Sequence, residues 1–106
     1  MPAVTVAELD TGGDQQVTAS PCYYFGATLQ DLGGDASIQV FKGDAATQAN
    51  GIDCVGCSDE VQADRSWYGP HGIYCPNGFY VNLTGTVDLA CCYYIPMPKS
   101  SGTGQL

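Results

Sequence analysis

Six cysteines, at positions 22, 54, 57, 75, 91 and 92, are the residues of this chain with the most chemistry in them. Cys54-Val-Gly-Cys57 is the sharpest pattern, because two thiolates three positions apart can grip one tetrahedral metal ion or close a small disulfide. A structural zinc site wants a second pair, and no second C-x-x-C exists. Cys54, Cys57 and Cys75 therefore form only a partial ligand set, to be completed by Cys91 or Cys92. A thioredoxin-type redox motif needs its first Cys at a helix N-terminus within a βαβ unit, and the surroundings here are β and glycine. What remains is structural: disulfides among Cys22, Cys54, Cys57, Cys75 and Cys92, or thiols that act as small buried hydrophobes, the role expected of Cys91.

No other constellation points to catalysis. His71 is the only histidine, so no histidine pair can hold a metal, and Ser20, Ser37, Ser58 and Ser66 lack a Gly-x-Ser-x-Gly elbow. Paired carboxylates for glycoside hydrolysis need a cleft that so small a domain hardly offers. Two Asp-x-Gly-Gly-Asp turns, at 10–14 and 31–35, offer oxygens to calcium but lack the ligand run of an EF-hand loop. The sequon Asn82-Leu-Thr84 is expected to carry no glycan, since no secretory signal is read in the residues before it. The expectation is a non-enzymatic protein with no cofactor.

Aromatic residues are the other chemical signal. There are seven tyrosines and Trp67, and the pairs Tyr23-Tyr24 and Tyr93-Tyr94 must each turn one ring to the outer face of a strand. Outward rings suit a protein interface, where tyrosine buries a large ring and keeps a polar tip, and they equally suit cross-strand packing on a sheet surface.

Charge narrows the partners. The net charge of −8 includes only three basic residues, the scattered Lys42, Arg65 and Lys99, so no basic patch can meet nucleic-acid phosphates, and an anionic membrane would repel the domain. Nine of the eleven acids are Asp, most beside Gly or in short polar runs, which marks turns. No run approaches the roughly 20 apolar residues of a membrane span, and MPAVTVAELD has neither a basic nor an apolar leader segment. Cytoplasmic synthesis is expected, a compartment in which disulfides are rare.

The elements that must position these residues read as strands. Charged residues are 13% and hydrophobic residues 44% of 106, enough for one packed core. Period-two runs recur between Gly, Pro, Asn and Asp clusters, and helical periodicity is absent. Residues 3–8 read as a short strand and the stretch to Ser20 as flexible. From Cys22 to Gln30, Tyr23, Phe25, Ala27 and Leu29 are expected inward, with Cys22, Tyr24, Gly26 and Thr28 outward. The 31–35 turn then makes a hairpin to a strand with Ile38 and Val40 inward. Gly43 to Asn50 reads as a loop, with weaker strands at 52–55 and 61–67. Pro76-Asn-Gly78 reads as a tight hairpin turn. The last strand is expected to carry Val87, Leu89, Cys91, Tyr93 and Ile95 inward, with Asp88, Ala90, Cys92 and Tyr94 outward. Cys22 and Cys92 would then share an outward face and bridge if their strands are neighbours, Cys92 pairing more readily than Cys91. The fold expected is all-β, a single antiparallel β-sandwich of jelly-roll or immunoglobulin-like connectivity spanning 21–96, with an N-terminal arm (1–20) and a Ser/Gly-rich tail (97–106).

With Tyr23-Tyr24-Phe-Gly-Ala-Thr28, then Ala36-Ser-Ile-Gln-Val-Phe-Lys-Gly43, Gly72-Ile-Tyr-Cys-Pro-Asn-Gly-Phe-Tyr-Val81 and Thr84-Gly-Thr86 in that order, the chain resembles small virion proteins of tailed bacteriophages over residues 20–95. The resemblance implies an outer capsid decoration, or cement, protein: a trimer of β-sandwiches made in the host cytoplasm, located in the virion, and bound to the major capsid protein or other virion subunits. The richness in cysteine departs from that pattern. The alternative is a carbohydrate- or receptor-binding fibre or lectin-like module in which Trp67, Tyr68 and the His71 loop stack on a sugar.

Overall fold

The computed structural model describes residues 4–10, 13–46, 48–57 and 63–97. Among these are seven strands, β1 (Thr5–Glu8), β2 (Gln15–Thr18), β3 (Cys22–Lys42), β4 (Gly51–Cys57), β5 (Ala63–Arg65), β6 (Ile73–Cys75) and β7 (Phe79–Pro96), and one 3-10 turn, Gln48–Asn50. The all-β class expected from the sequence is what forms, as a single curled antiparallel sheet. No helix among the described residues is long and apolar enough to cross a membrane.

β3 and β7 pair along their whole length, from Cys22↔Pro96 to Lys42↔Phe79. In the first half of this ribbon, β6 and β5 flank β3 while β1 flanks β7. In the second half the flanks are β4 and β2. Between the halves the register jumps from Asp31↔Val87 to Ala36↔Gly85, so residues 32–35 lie opposite Thr86 alone. Excess residues on one strand bend it, and the ribbon folds back on itself here. Tyr24, from the first half, meets Phe79, from the second, edge-on at 5.1 Å, and Phe79 meets Tyr94 at 5.5 Å. The core shared by the two halves contains Leu29, Ala27 and Cys92 from one side and Ile38, Val40, Phe79 and Val81 from the other.

The segment 31–35 is thus not a hairpin turn. Both flanking strands find a partner in β7, so the ladder continues through the bulge, and Gly33, at φ +107°, takes up the extra length. Asp31 is buried at this bend and accepts a bond from the Gly33 N–H. Thr84-Gly-Thr86 lies inside β7, on the opposite side of the same bend. The turn at Pro76-Asn-Gly78 is present, with Gly78 at φ +79° and its N–H donating to the Cys75 carbonyl at 3.3 Å. Its flanking strands, however, pair with opposite ends of β3 and not with each other. Gln15–Thr18, expected to be flexible, is a strand along β7, and the Gln16 amide stitches it down by donating to the Gly43 carbonyl at 2.8 Å. The tail at 98–106, Thr11, Gly12 and residues 58–62 lie outside the described residues.

Two single-residue bulges decide which side chains face the core. At Tyr24/Gly26 the register skips Phe25, so Cys22 and Tyr24 point inward ahead of it and Ala27 and Leu29 behind it. The expected placement of Ala27 and Leu29 holds, while that of Cys22, Tyr23 and Tyr24 is reversed. On β7 the register skips Asp88, so Val87 is buried, and beyond it Ala90 and Cys92 turn inward and Leu89 outward, again opposite to expectation. A bulge adds one residue to one strand and so shifts the period-two pattern by one position.

Gly85 sits at the bend with φ +87°, and a Cβ there would lie 1.9 Å from the Asp35 carbonyl oxygen. Gly43, at φ +92°, has nothing within 4 Å of such an atom. Gly85→Ala is therefore expected to lower the unfolding free energy by about 3 kcal/mol, against about 1 kcal/mol for Gly43→Ala. Urea denaturation of the two variants checks the ranking, and equal losses would contradict the account of the bend.

Candidate functional site

Asp53 on β4 draws together polar groups from several elements. Its Oδ2 accepts hydrogen bonds from the Tyr24 hydroxyl at 2.6 Å and from the Ser66 hydroxyl at 2.5 Å. Its Oδ1 accepts from the Tyr68 hydroxyl at 2.8 Å and from the Cys54 N–H at 2.8 Å. β4 belongs to the second half of the ribbon and Tyr24 to the first, so the carboxylate braces one half against the other. Burial first, then the neighbouring Cys92 sulfur and the hydrogen-bonded Asp53 carboxylate, push the Tyr24 hydroxyl far above its ordinary value. Tyr68 is pushed the same way, by burial and then by Asp53. These hydroxyls stay protonated donors at neutral pH, which suits a brace and not a nucleophile.

The brace also fixes a loop. Ser66 and Tyr68 are separated by Trp67, and their backbone N–H groups donate to the Ala27 and Phe25 carbonyls at 2.9 and 2.8 Å. The Ser66 hydroxyl in turn accepts from the Ala27 N–H at 3.1 Å. This close approach requires Gly26, since a Cβ there would sit 2.2 Å from the Ser66 carbonyl oxygen. The Trp67 indole lies over Phe25 at 5.7 Å and edge-on to Tyr93 at 6.3 Å, yet is 59% exposed.

Trp67 is one member of a wider surface. Directly paired residues of an antiparallel sheet share a face, so the register defines rows. One row runs Ile95, Tyr23, Tyr74, with the two tyrosine rings 5.3 Å apart. The next joins Val6 to Tyr93, whose hydroxyl bonds the Thr28 hydroxyl at 2.6 Å. A third joins Glu8, Cys91, Thr28 and Arg65. Val6 is 60% and Tyr74 45% exposed. Among the described residues, every exposed large hydrophobic (Val4, Val6, Trp67, Tyr68, Tyr74 and Leu89) belongs to this first half of the ribbon or borders it.

No family model, curated protein or solved structure matches this chain.

The cysteines are arranged otherwise than their spacing suggests. On the extended strand β4, positions three apart face opposite ways, so Cys54 is exposed and Cys57 is buried with its thiol directed at the Leu29 carbonyl, 3.8 Å away. Cys75 lies on β6, opposite Cys22. Cys54, Cys57 and Cys75 are not brought together, and among the described residues no group of three or more His, Cys, Asp or Glu could hold a metal ion. Cys22 and Cys92 both turn inward, but Cys22 is paired with Pro96 and Cys75, and Cys92 with Ala7 and Ala27. All six thiols are free, and Cys91 is the half-buried one of the 91–92 pair. Burial raises the Cys57, Cys91 and Cys92 thiols, with negative neighbours adding to it, so these behave as neutral apolar groups. His71 is exposed in the turn before β6. Asp14, from the first Asp-x-Gly-Gly-Asp, accepts a bond from the Asn82 amide at 2.6 Å.

Sequence reasoning missed Asp53, although an acid inside the apolar run Ile52-Asp-Cys-Val55 was a visible signal. Asp53→Ala is expected to lower stability by about 3 kcal/mol, because it strands the buried Tyr24 hydroxyl. The raised thiol and tyrosine values set a pH dependence as well. Above the ordinary thiol value of 9.0 and tyrosine value of 10.0 the unfolded chain releases protons that the folded one keeps, so stability falls as pH rises. Urea midpoints measured from pH 7 to 10 are expected to be level at first and to drop above 9; a rise over that range would contradict the assignment.

Proposed function

We propose that this protein is a non-enzymatic structural subunit of a phage particle, an outer capsid decoration or cement protein that holds its neighbours through the aromatic outer face of β1, β7, the first half of β3, and β6. The observation that carries this reading is the gathering of exposed apolar side chains on one half of the sheet. Contiguous apolar surface on a folded domain marks a contact, and Tyr, Trp and Val in rows with few charges have the composition of an interface core. Glu8 and Arg65 stand at one end of these rows, where they suit a polar rim. The partners are a capsid subunit or further copies of this chain, with a trimer favoured, and the location is the virion. The patterned blocks that resemble small virion proteins fall on β3, β6 and β7 and the turns beside them.

Trp67 favours a second reading. An indole that packs at a tilt on Phe25 and edge-on to Tyr93 yet stays 59% exposed offers an aromatic surface to a sugar ring. A carbohydrate-binding module would use it so.

Sedimentation of the purified protein is expected to show an oligomer that Val6→Lys and Tyr74→Lys each dissociate into monomers that keep the far-ultraviolet circular dichroism of folded strands. A protein that stays monomeric at about 100 μM, a concentration that would reveal even weak self-association, and that also fails to bind capsid shells, would overturn the structural reading. Glycan-array binding lost on Trp67→Ala would replace it with the second.

A further inference from the structure

Cys22 and Cys75 are a register pair of β3 and β6, and both side chains are fully buried. Residues directly opposite in an antiparallel ladder have Cα atoms roughly 4.5 to 5.5 Å apart, whichever hydrogen-bonding class they belong to. Disulfides span Cα separations of about 4.4 to 6.8 Å. No other cysteine stands opposite a second one: Cys54 is paired with Gln39, Cys57 with Ala36, Cys91 with Glu8 and Thr28, and Cys92 with Ala7 and Ala27.

We infer that Cys22 and Cys75 are a cystine-forming pair, a modification site at which a small-molecule disulfide such as oxidised glutathione staples β6 to β3. The Cys75 thiolate attacks one sulfur of the oxidant, forming a mixed disulfide and releasing one thiol. The Cys22 sulfur, giving up its proton, then attacks the Cys75 sulfur, closes the Cys22–Cys75 bond and releases the second thiol. Two protein thiols are oxidised and one disulfide is reduced to two thiols. The order follows from the surroundings. A hydrogen bond from Cys22 and the charge of Lys42 lower the Cys75 thiol, while the interaction with Cys75 raises Cys22.

Access comes through β6. It has only three residues, pairs with β3 alone, and follows the loop that carries Trp67 and His71, so it can lift from the sheet without disturbing the β3–β7 ladder. Once closed, the bond fixes the edge of the outer face on which Tyr74 stacks against Tyr23.

The test uses the full chain carrying Cys54→Ser, which removes the exposed thiol that would otherwise take up glutathione. Reduced protein is treated with oxidised glutathione, alkylated, and digested without reductant. The expected result is a Cys22 peptide joined to a Cys75 peptide, a chain mass lower by about 2 Da, and a melting temperature at least about 8 °C above that of the reduced form, because the bond closes a long loop. Cys22 and Cys75 recovered singly alkylated, either one joined to a different cysteine, or an oxidised form that melts no higher than the reduced one would overturn the proposal.

Discussion

A strand of 21 residues spans about 70 Å when extended, whereas the longest axis of the molecule is 50 Å. β3 must therefore bend if it is to pair with β7 from end to end, and the bend at residues 32–35 is where the two halves of the sheet fold over one core. Everything else follows from that ladder. It gives every other strand an edge to pair with: β4, β5 and β6 line one side, and β1 and β2 the other. It also brings Tyr24 and Phe79, at opposite ends of the ribbon, into contact.

A folded ribbon needs something to hold its halves together away from the bend. Apolar packing does most of this, and Asp53 adds a directional link that packing lacks. Three hydroxyls from the first half converge on one carboxylate of the second, so the two halves are set in one alignment and not merely pressed together. Ser66 and Tyr68 belong to that link, and the residue between them is thereby presented outward. The exposed position of Trp67 is thus a consequence of the internal brace, which ties the core to the outer face in structural terms.

Cysteine serves this core mainly as a small apolar side chain. Cys57 and Cys92 fill positions where burial keeps the thiol neutral, and Cys54 and Cys57 face apart because a strand alternates. The same alternation sets Cys22 against Cys75. Spacing along the chain suggests chemistry at 54–57, while proximity across strands places it at 22–75.

Much was legible from composition and pattern. The β class, the turn at Gly78, the inward Ile38 and Val40 and the presence of outward aromatic rings all depend on local alternation and on glycine's backbone freedom, and both are written in neighbouring residues. What the sequence by itself determined was thus the kind of structure, together with the shortage of positive charge that bears on its partners. The tertiary structure alone decided the faces and the pairings. Phe25 and Asp88 are bulged residues that no local pattern marks, and each reverses the side chains on one side of it, which is why Cys22, Tyr24, Ala90 and Cys92 turn inward and Leu89 outward. The segment 31–35 reads as a turn because glycine permits one; it becomes a bend because β7 offers a partner to both sides. Register is a contest among distant segments for the same hydrogen bonds and the same core, and its outcome depends on residues far apart in the chain.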